Sequence, residues 1–303
     1  MKDNFISIYD LSADEIHETL DLAVEIKAKL KAGEDYKPLE GKTLSMIFAK
    51  PSARTRISFE TGIKKLGGYA LYLSPDDISM GKREAVKDIA RVISRFNEGI
   101  MARLFSHDHM LELAEFASIP VINGLTDYNH PCQIMGDILT VKEHRGDLSD
   151  LKVAFIGDGN NVANSWVNLA AKIPMHFVLA GPEGFGSDPE TWSRSEEAGL
   201  STLEITHDPT EAVKDADVVY TDVWASMGQE SESADRAEKF QPFQLNSELM
   251  SHAKESTLVM HCLPAHRGDE ITDEVMDGAN SIVFDQAENR MHAQNAIMVQ
   301  LMG

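Results

Sequence analysis

Residues 43–60 read TLSMIFAKPSARTRISFE, and this stretch decides how the chain around it folds. Its first six residues form a short apolar run that predicts a buried strand. Ser52 stands where a helix would begin, and Ile57 and Ile63 give that helix an apolar face. A helix N-terminus favours an anion because backbone N–H groups remain unpaired there and the macrodipole is positive. The turn from strand to helix is therefore predicted to bind a phosphate-sized anion.

The side chains around this turn point to the same ligand. Ser52 and Thr55 add hydroxyl donors, and Arg54 and Arg56 add guanidinium groups whose geometry matches phosphate oxygens. The alternative is an N-cap serine followed by two solvated arginines. The net charge of −21 argues against nucleic acids and anionic membranes as partners, because both would be repelled. An arginine cluster in so acidic a chain indicates a local substrate site.

The length and the cysteine content bound the class of protein. A chain of 303 residues is long enough for two domains, each with its own core. Two cysteines, Cys132 and Cys262, do not make a disulfide framework, which indicates a reducing compartment. The sequence shows neither a signal peptide nor a membrane span. We therefore expect a cytoplasmic protein.

Short apolar runs alternate with amphipathic stretches, which is typical of α/β proteins with mostly parallel sheets. The predicted strands are 43–48, 69–73, 99–104, 119–123, 151–156, 176–180, 217–223, 257–262 and 281–285. The predicted helices are 12–32, 54–67, 84–96, 109–118, about 130–143, 162–172 and 289–302, with loops or lids at 183–208 and 228–245. We expect two doubly wound domains, 1–145 and 146–287, with the helix at 288–303 packing back on the first.

Chemically capable side chains follow the ends of the predicted strands in both halves. They are Arg103, His130, Gln133, Asp222, His261 and Cys262. Any one of them could be structural, for example a surface ion pair. Ligands of open α/β sheets bind beyond the carboxyl ends of the strands, so their recurrence there predicts a shared site.

Residues 157–161, GDGNN, invite comparison with the dinucleotide-binding fingerprint, because they follow a strand and precede a helix. The third glycine position holds Val162, and no acidic residue closes the following strand. The pattern is therefore weak support for a nicotinamide-dependent oxidoreductase. Asn160 and Asn161 either cap the helix or offer amide groups to a polar substrate.

Residues 261–268, HCLPAHRG, contain one cysteine and two histidines and could be taken for a zinc site. The ligand set is incomplete, and a coil with proline does not place both histidines on one helical face. A Ser–His or Cys–His nucleophile remains a second alternative.

Four motifs together resemble the aspartate/ornithine carbamoyltransferase family. They are residues 52–56 (SARTR), 130–133 (HPCQ), 222–228 (DVWASMG) and 261–264 (HCLP). The first two motifs are shared by aspartate-using and ornithine-using members, whereas the last two resemble those that specify ornithine. The resemblance covers essentially the whole chain, with the motifs in the family's order.

The resemblance implies transfer of a carbamoyl group from carbamoyl phosphate to the δ-amine of ornithine, without a metal or an organic cofactor. It implies an N-terminal carbamoyl phosphate domain, a C-terminal ornithine domain, an active site in the cleft between them, and a homotrimer or higher homo-oligomer. The implied carbamoyl phosphate ligands are Ser52, Ala53, Arg54, Thr55, Ser79, Arg103, His130, Gln133, Cys262, Leu263 and Arg290. The implied ornithine ligands are Asn161, Asp222, Ser226 and Met227, and the implied catalytic residues are Arg103, His130 and Cys262.

Two positions differ from the family pattern. Ala53 stands where threonine is usual, and Ser79 stands where ornithine-using members commonly have glutamine. The alternatives to ornithine carbamoylation are a carbamoyltransferase for putrescine or acetylornithine and a non-catalytic paralogue. Arginine metabolism is the implied setting.

Overall fold

The computed structural model describes residues 3–78, 80–81, 84–225 and 233–303. The chain divides into two compact units, the first made of Met1–Leu139 with Glu288–Gly303 and the second of Thr140–Ala287. The boundary between Leu139 and Thr140 lies inside a helix, Pro131–Arg145, whereas the sequence predicts a domain junction after residue 145. Three positions singled out by the sequence, Ser79, Ser226 and Met227, lie outside the described residues.

The first unit contains a four-stranded parallel sheet in the order β2-β1-β3-β4. Its strands are β1 Thr43–Phe48, β2 Tyr69–Leu73, β3 Gly99–Arg103 and β4 Val121–Leu125. The helices that begin in this unit are α1 Ala13–Lys31, α2 Ala53–Lys65, α3 Pro75–Ile78, α4 Val86–Ile93, α5 His107–Phe116 and α6 Pro131–Arg145. The central strands β1 and β3 are buried, which is why they appear in the sequence as continuous apolar runs.

The second unit contains a five-stranded parallel sheet in the order β7-β6-β5-β8-β9. Its strands are β5 Leu151–Ile156, β6 Met175–Ala180, β7 Thr202–Thr206, β8 Val218–Thr221 and β9 Leu258–His261. The remaining helices are α7 Asn161–Ala170, α8 Pro189–Ala198, α9 Pro209–Val213, α10 Ser233–Phe240, α11 Ser247–Met250, α12 Asp273–Met276 and α13 Val283–Met302. In the described part of the chain, none of the helices has the length and apolar character needed to span a bilayer.

These two sheets confirm the predicted fold class of two α/β domains with parallel strands flanked by helices. The bounds of β1, β2 and β5 agree with the sequence prediction residue by residue. Parallel strands place their carboxyl ends at one edge of each sheet, and the loops after β1, β3 and β4 carry the polar side chains of the first unit.

The predicted strand at 281–285 is wrong. Only Ser281 makes a bridge, to Val259, and α13 begins at Val283 instead of Asn289. A short apolar run does not distinguish a strand from a buried helical turn. Here Phe284 is 64% exposed between a buried valine and a solvent-facing aspartate, so the run is the first turn of a helix and not a core strand.

The two stretches predicted to be irregular contain regular structure. Residues 183–208 include α8 and the strand β7, and the described part of 228–245 includes α10. Strand β7 is an edge strand whose side chains are exposed or half-buried. Its amino-acid composition therefore resembles that of a loop, which is why the sequence did not predict a strand there.

Candidate active site

The N-terminus of α2 is built as the sequence predicts. Ser52 is the N-cap, and its Oγ accepts a hydrogen bond from the Thr55 backbone N–H at 3.2 Å. The first turn of α2 contains no acidic residue, whereas α1 begins with Asp14 and Glu15. A carboxylate in the first turn would compete for the same N–H groups, so its absence from α2 leaves this helix end suited to an external anion.

Arg290 reaches this helix end from α13. Its Nη2 donates to Thr55 Oγ1 at 2.8 Å, and both side chains are buried. The approach depends on Gly136 of α6, where an added Cβ would lie 3.1 Å from the Cα of Arg290. A guanidinium group is thus fixed beside the hydroxyl that the sequence assigns to the anion.

The two arginines of α2 have different surroundings. Arg54 is half-buried, and its Nε is enclosed without a hydrogen-bond partner among the described residues. Arg56 is exposed, its Nε donates to Glu60 Oε2 at 3.0 Å, and its guanidinium lies 4.0 Å from the centre of the Tyr72 ring. Of the two guanidinium groups expected at the anion site, Arg56 is therefore engaged elsewhere, and Arg54 is the candidate.

Arg103 and Lys50 add two further buried cations. Arg103 ends β3, and its carbonyl accepts the N–H groups of Ala49 and Lys50 at 3.0 and 3.2 Å. Lys50 is 4% exposed, and its Nζ lies 2.9 Å from Asp127 Oδ1 and 5.0 Å from the centre of the Phe105 ring. Sequence reasoning assigned Lys50 no role; a lysine two residues after a buried strand was the available signal.

His130 is held neutral by its surroundings. Burial lowers its pKa well below the ordinary value of 6.5, and the charges of Arg290, Arg103 and Lys50 lower this pKa further. The same three cations thus act on one buried imidazole. A neutral imidazole donates one hydrogen bond and accepts another, so His130 is suited to donate to a carbonyl oxygen at neutral pH.

Gln133 lies one helical turn after His130 and is fully buried. Its Nε2 donates to Asp137 Oδ1 at 2.8 Å. Its Oε1 has no hydrogen-bond partner among the described residues. An amide fixed through its nitrogen presents its oxygen as an acceptor, which suits an NH₂ group on a ligand.

The lowered pKa of His130 predicts how stability depends on pH. Below pH 6.5 the unfolded chain protonates this histidine and the folded chain does not, so the free energy of unfolding should decrease as the pH falls from 6.5. Replacing His130 with glutamine should remove up to ~1.4 kcal/mol of this decrease per pH unit. Urea unfolding between pH 7.5 and 5 measures it, with the exposed His17→Gln as the control. If the free energy of unfolding of His130→Gln depended on pH as that of the wild type does, the wild-type imidazole would already be charged in the folded state.

In the second unit, Asn160 links a helix cap to a buried carboxylate. Its Oδ1 accepts from the backbone N–H groups of Val162 and Ala163 at 2.9 and 3.2 Å, and its Nδ2 donates to Asp222 Oδ2 at 2.7 Å. Of the two roles that the sequence left open for Asn160, the structure shows the helix cap. Asn161, the predicted ornithine ligand, is the first residue of α7 and is half-buried.

Asp222 and Cys262 meet at the ends of β8 and β9. The Cys262 thiol donates to Asp222 Oδ1 at 2.8 Å, and the Val223 backbone N–H donates to the same oxygen at 2.8 Å. Asp222 is 7% exposed. Neutral donors thus hold a buried carboxylate in a fixed orientation, which suits recognition of a ligand ammonium group.

Among the described residues, Asp222, His261 and Cys262 form a group close enough to share a metal ion, with their ligand atoms within 4.8 Å of one another. Both ring nitrogens of His261 are already engaged, Nε2 with Glu270 and Nδ1 with the backbone N–H of Leu263. A metal would have to displace one of these hydrogen bonds, so the donor set fits a hydrogen-bonded network better than a zinc site.

The loop at 157–161 explains its glycine pattern without a nucleotide. An added Cβ on Gly159 would lie 2.1 Å from the backbone carbon of Gly186, so this glycine is required where two segments of the protein's own backbone cross. In the dinucleotide fingerprint a glycine at this point allows the approach of a pyrophosphate. The backbone of residues 186 and 187 occupies that side of Gly159 here.

Gly159→Ala should therefore destabilise the second unit by about 2–4 kcal/mol, because backbone atoms cannot move aside as a flexible side chain can. Gly186→Ala is the matched control, since nothing lies within 4 Å of its added Cβ. Chemical denaturation measures both. Equal stability of the two variants would mean that the crossing is looser than the structure shows.

Asp158, within this loop, forms an ion pair with the buried Arg236. Burial raises the pKa of Asp158 to about 6, Arg236 opposes this rise, and Asp222 adds to it. Arg236 also donates to the carbonyl of Trp224, and its guanidinium lies over the ring of Phe185. Sequence reasoning missed Arg236, because an arginine in a polar stretch looks like a solvated one.

Comparison with known proteins assigns the family. The model of the carbamoyl phosphate-binding domain of aspartate/ornithine carbamoyltransferases matches residues 3–143, and the model of the aspartate/ornithine-binding domain matches residues 149–301. The chain belongs to the aspartate/ornithine carbamoyltransferase family. The family predicted from the four sequence motifs is thereby confirmed.

Individual relatives agree along the whole chain. A chloroplastic ornithine carbamoyltransferase of Pisum sativum is 58% identical over 99% of this chain and 80% of its own length. The ornithine carbamoyltransferase of Carboxydothermus hydrogenoformans is 54% identical over 99% of this chain and 97% of its own. The solved structure of the Pyrococcus furiosus ornithine carbamoyltransferase has a TM-score of 0.95 and 48% identity, covering 99% of this chain and 97% of its own.

Proposed function

We propose that the protein transfers the carbamoyl group of carbamoyl phosphate to the δ-amine of L-ornithine, giving L-citrulline and phosphate. The observation that carries this proposal is that the buried cations Arg103 and Arg290 act on a neutral His130, while Arg290 also contacts Thr55 in the first turn of α2. Such a set suits a phosphate dianion joined to a carbonyl. The relatives' names and the buried Asp222 support ornithine as the acceptor.

The phosphate is proposed to bind at the start of α2. Its ligands are the Ser52 and Thr55 hydroxyls, the backbone N–H of Ala53, and the guanidinium groups of Arg54 and Arg103. Ala53 is exposed and lacks the usual hydroxyl, but a backbone donor does not depend on the side chain. Arg290 completes the positive charge through its contact with Thr55.

The carbamoyl group is proposed to lie against His130 and Gln133. His130 donates to the carbonyl oxygen, on which negative charge grows as the carbon becomes tetrahedral. Gln133 Oε1 accepts from the carbamoyl NH₂, since its own amide nitrogen is held by Asp137. The backbone of Cys262 and Leu263 stays the predicted second contact, and Ser79 stays a predicted ligand.

The ornithine δ-amine must attack in its neutral form, which is a minor species at neutral pH because its pKa lies near 10. The new N–C bond forms, the C–O bond to phosphate breaks, and the proton lost by the amine leaves on the phosphate. Asp222 is proposed to pair with the α-ammonium group, with Asn161, Ser226 and Met227 at the α-carboxylate and Cys262 near the amine. Alignment of the two reactants is worth roughly 7–11 kcal/mol in well-oriented systems.

A panel of amines tests the acceptor. Initial rates with radiolabelled carbamoyl phosphate should be highest with L-ornithine and at least about 100-fold lower with putrescine and N-acetylornithine, because each lacks or masks a group that the pocket binds. A reaction without amine measures background hydrolysis. Faster turnover of putrescine would reassign the acceptor. If no amine of the panel gave a labelled product, the non-catalytic paralogue would be favoured.

The setting of the reaction is also part of the proposal. Citrulline is the product, which supports a role in arginine biosynthesis. A cytoplasmic location is proposed because Cys132 and Cys262 are both free thiols, as in proteins of a reducing compartment. We also propose a homotrimer or higher homo-oligomer, as the family resemblance implies. Exposed apolar side chains on and near the edge strand β2, Ile57, Tyr69 and Leu71, support association with further copies of this chain. Light scattering in solution measures the mass of the assembly.

A further inference from the structure

Glu270 and His261 form a buried pair next to the proposed ornithine ligands. Neither side chain has any solvent exposure, and His261 Nε2 lies 3.0 Å from Glu270 Oε1. Burying a carboxylate is costly unless it is hydrogen-bonded, so the pair must serve the local structure or the site. No step proposed above uses Glu270.

The surrounding contacts define which nitrogen of His261 carries the proton. The Leu263 backbone N–H points to Nδ1 at 2.9 Å, and a backbone N–H can only donate. Nδ1 must therefore accept, which places the ring proton on Nε2, where it is donated to Glu270. Glu270 Oε1 also accepts the backbone N–H of His266 at 2.6 Å.

Glu270 thus links both ends of the segment 261–266. The start of this segment is also fixed, because the His261 backbone N–H donates to Gln286 Oε1 at 3.1 Å. Within it, Leu263 has a φ of 58°, in the left-handed region that residues other than glycine seldom adopt. Such a conformation persists only where neighbouring contacts determine it. The hydrogen bond from Leu263 to His261 is one of these contacts.

The residue held inside this segment is Cys262, whose thiol donates to Asp222 Oδ1. We propose that Glu270 is a positioning residue of the ornithine pocket. Through the imidazole of His261 and the backbone of Leu263 and His266, it sets the direction of Cys262 and so the orientation of the Asp222 carboxylate. As a statement about ornithine, this inference rests on the proposed function.

Two conservative variants distinguish the effect of side-chain length at position 270 from the effect of its charge. Glu270→Gln keeps an acceptor oxygen at the same distance but loses the charge, and its NH₂ takes the place of Oε2, which has no hydrogen-bond partner among the described residues. Glu270→Asp keeps the charge but is one methylene too short. If position matters, the glutamine variant should retain kcat/KM for ornithine within about 3-fold, and the aspartate variant should lose about 100-fold, the effect of a misplacement near 1 Å.

The loss in Glu270→Asp should appear in kcat/KM for ornithine. The affinity of the enzyme for carbamoyl phosphate, measured by calorimetry, should stay within about 3-fold of wild type, because the main proposed ligands of carbamoyl phosphate lie on other elements. Equal activity of the two variants, or a more active aspartate variant, would overturn the inference. Thermal unfolding of both variants identifies any general loss of the folded state.

A readout without substrate separates this inference from the proposed function. The imidazole ¹⁵N spectrum should show His261 protonated on Nε2 alone in the wild type and in Glu270→Gln, and a mixture of tautomers in Glu270→Asp. Wild-type protein that makes no citrulline would remove the proposed function and leave this test standing. An unaltered tautomer in Glu270→Asp would remove the positioning role, whatever the activity.

Discussion

Replacing Arg54 with glutamine should lower kcat/KM for carbamoyl phosphate by about a thousandfold while the protein remains folded. Arg54 is half-buried beside the first turn of α2, and its Nε has no hydrogen-bond partner among the described residues. A guanidinium group held in this way is available to a phosphate that leaves with growing negative charge. The loss should therefore appear in kcat as well as in KM.

Arg56→Gln is the matched control for Arg54→Gln, since it removes the same group two residues further along the same helix. Arg56 already pairs with Glu60 and stacks on Tyr72, so its loss should cost no more than about 3-fold in kcat/KM. Steady-state kinetics of the two variants show which of the two arginines binds the phosphate. A larger loss in Arg56→Gln than in Arg54→Gln would place the phosphate on the other face of the helix.

Asp222→Asn should raise the KM for ornithine by roughly 100- to 1,000-fold, because the buried partner of the α-ammonium group loses its charge. The asparagine NH₂ would also face a donor: the Cys262 thiol and the Val223 N–H on one side, or Asn160 Nδ2 on the other. The KM for carbamoyl phosphate should change little.

Asp208→Asn is the matched control for Asp222→Asn. Asp208 caps α9 in the same unit, and asparagine caps helices about equally well. Its kinetics should match those of the wild type. If Asp222→Asn binds ornithine as tightly as the wild type does, the ammonium group must pair with another carboxylate.

Much of the site could be predicted from the sequence because the fold places chemistry at predictable points. The polar residues after β1, β3 and β4 were identified as site candidates because parallel strands end at one edge of a sheet. The buried strands were predictable because strands covered on both faces are continuously apolar. Arg290 lies on a helix far along the chain from α2, and its place in the site was implied by the family resemblance.

Other features depend on tertiary contacts that no local pattern encodes. The difference between Arg54 and Arg56 arises from Glu60 and Tyr72, one of which lies on a different element. Gly159 looks like part of a nucleotide motif until the backbone at residue 186 is seen to cross it. The start of α13 at Val283 was missed because two buried residues in a row fit a strand as well as a helical turn.

The roles of Lys50 and Glu270 were missed for a related reason. Charged residues are mostly exposed, so a lysine or a glutamate in a sequence is expected to be solvated. Lys50 is buried beside Asp127, and Glu270 is buried against His261. Their partners lie up to 77 positions away in the chain, and only the folded structure brings them together.

The identity of the bond that forms is the most direct test of the whole account. The protein is incubated with [¹³C]carbamoyl phosphate and ornithine labelled with ¹⁵N at the δ-amine, and the product is followed by ¹³C NMR. We predict a ureido carbon that shows one-bond coupling to the labelled nitrogen, formed together with inorganic phosphate. Label recovered only as hydrolysis products, or a carbamoyl carbon without coupling to the δ-nitrogen, would contradict the account.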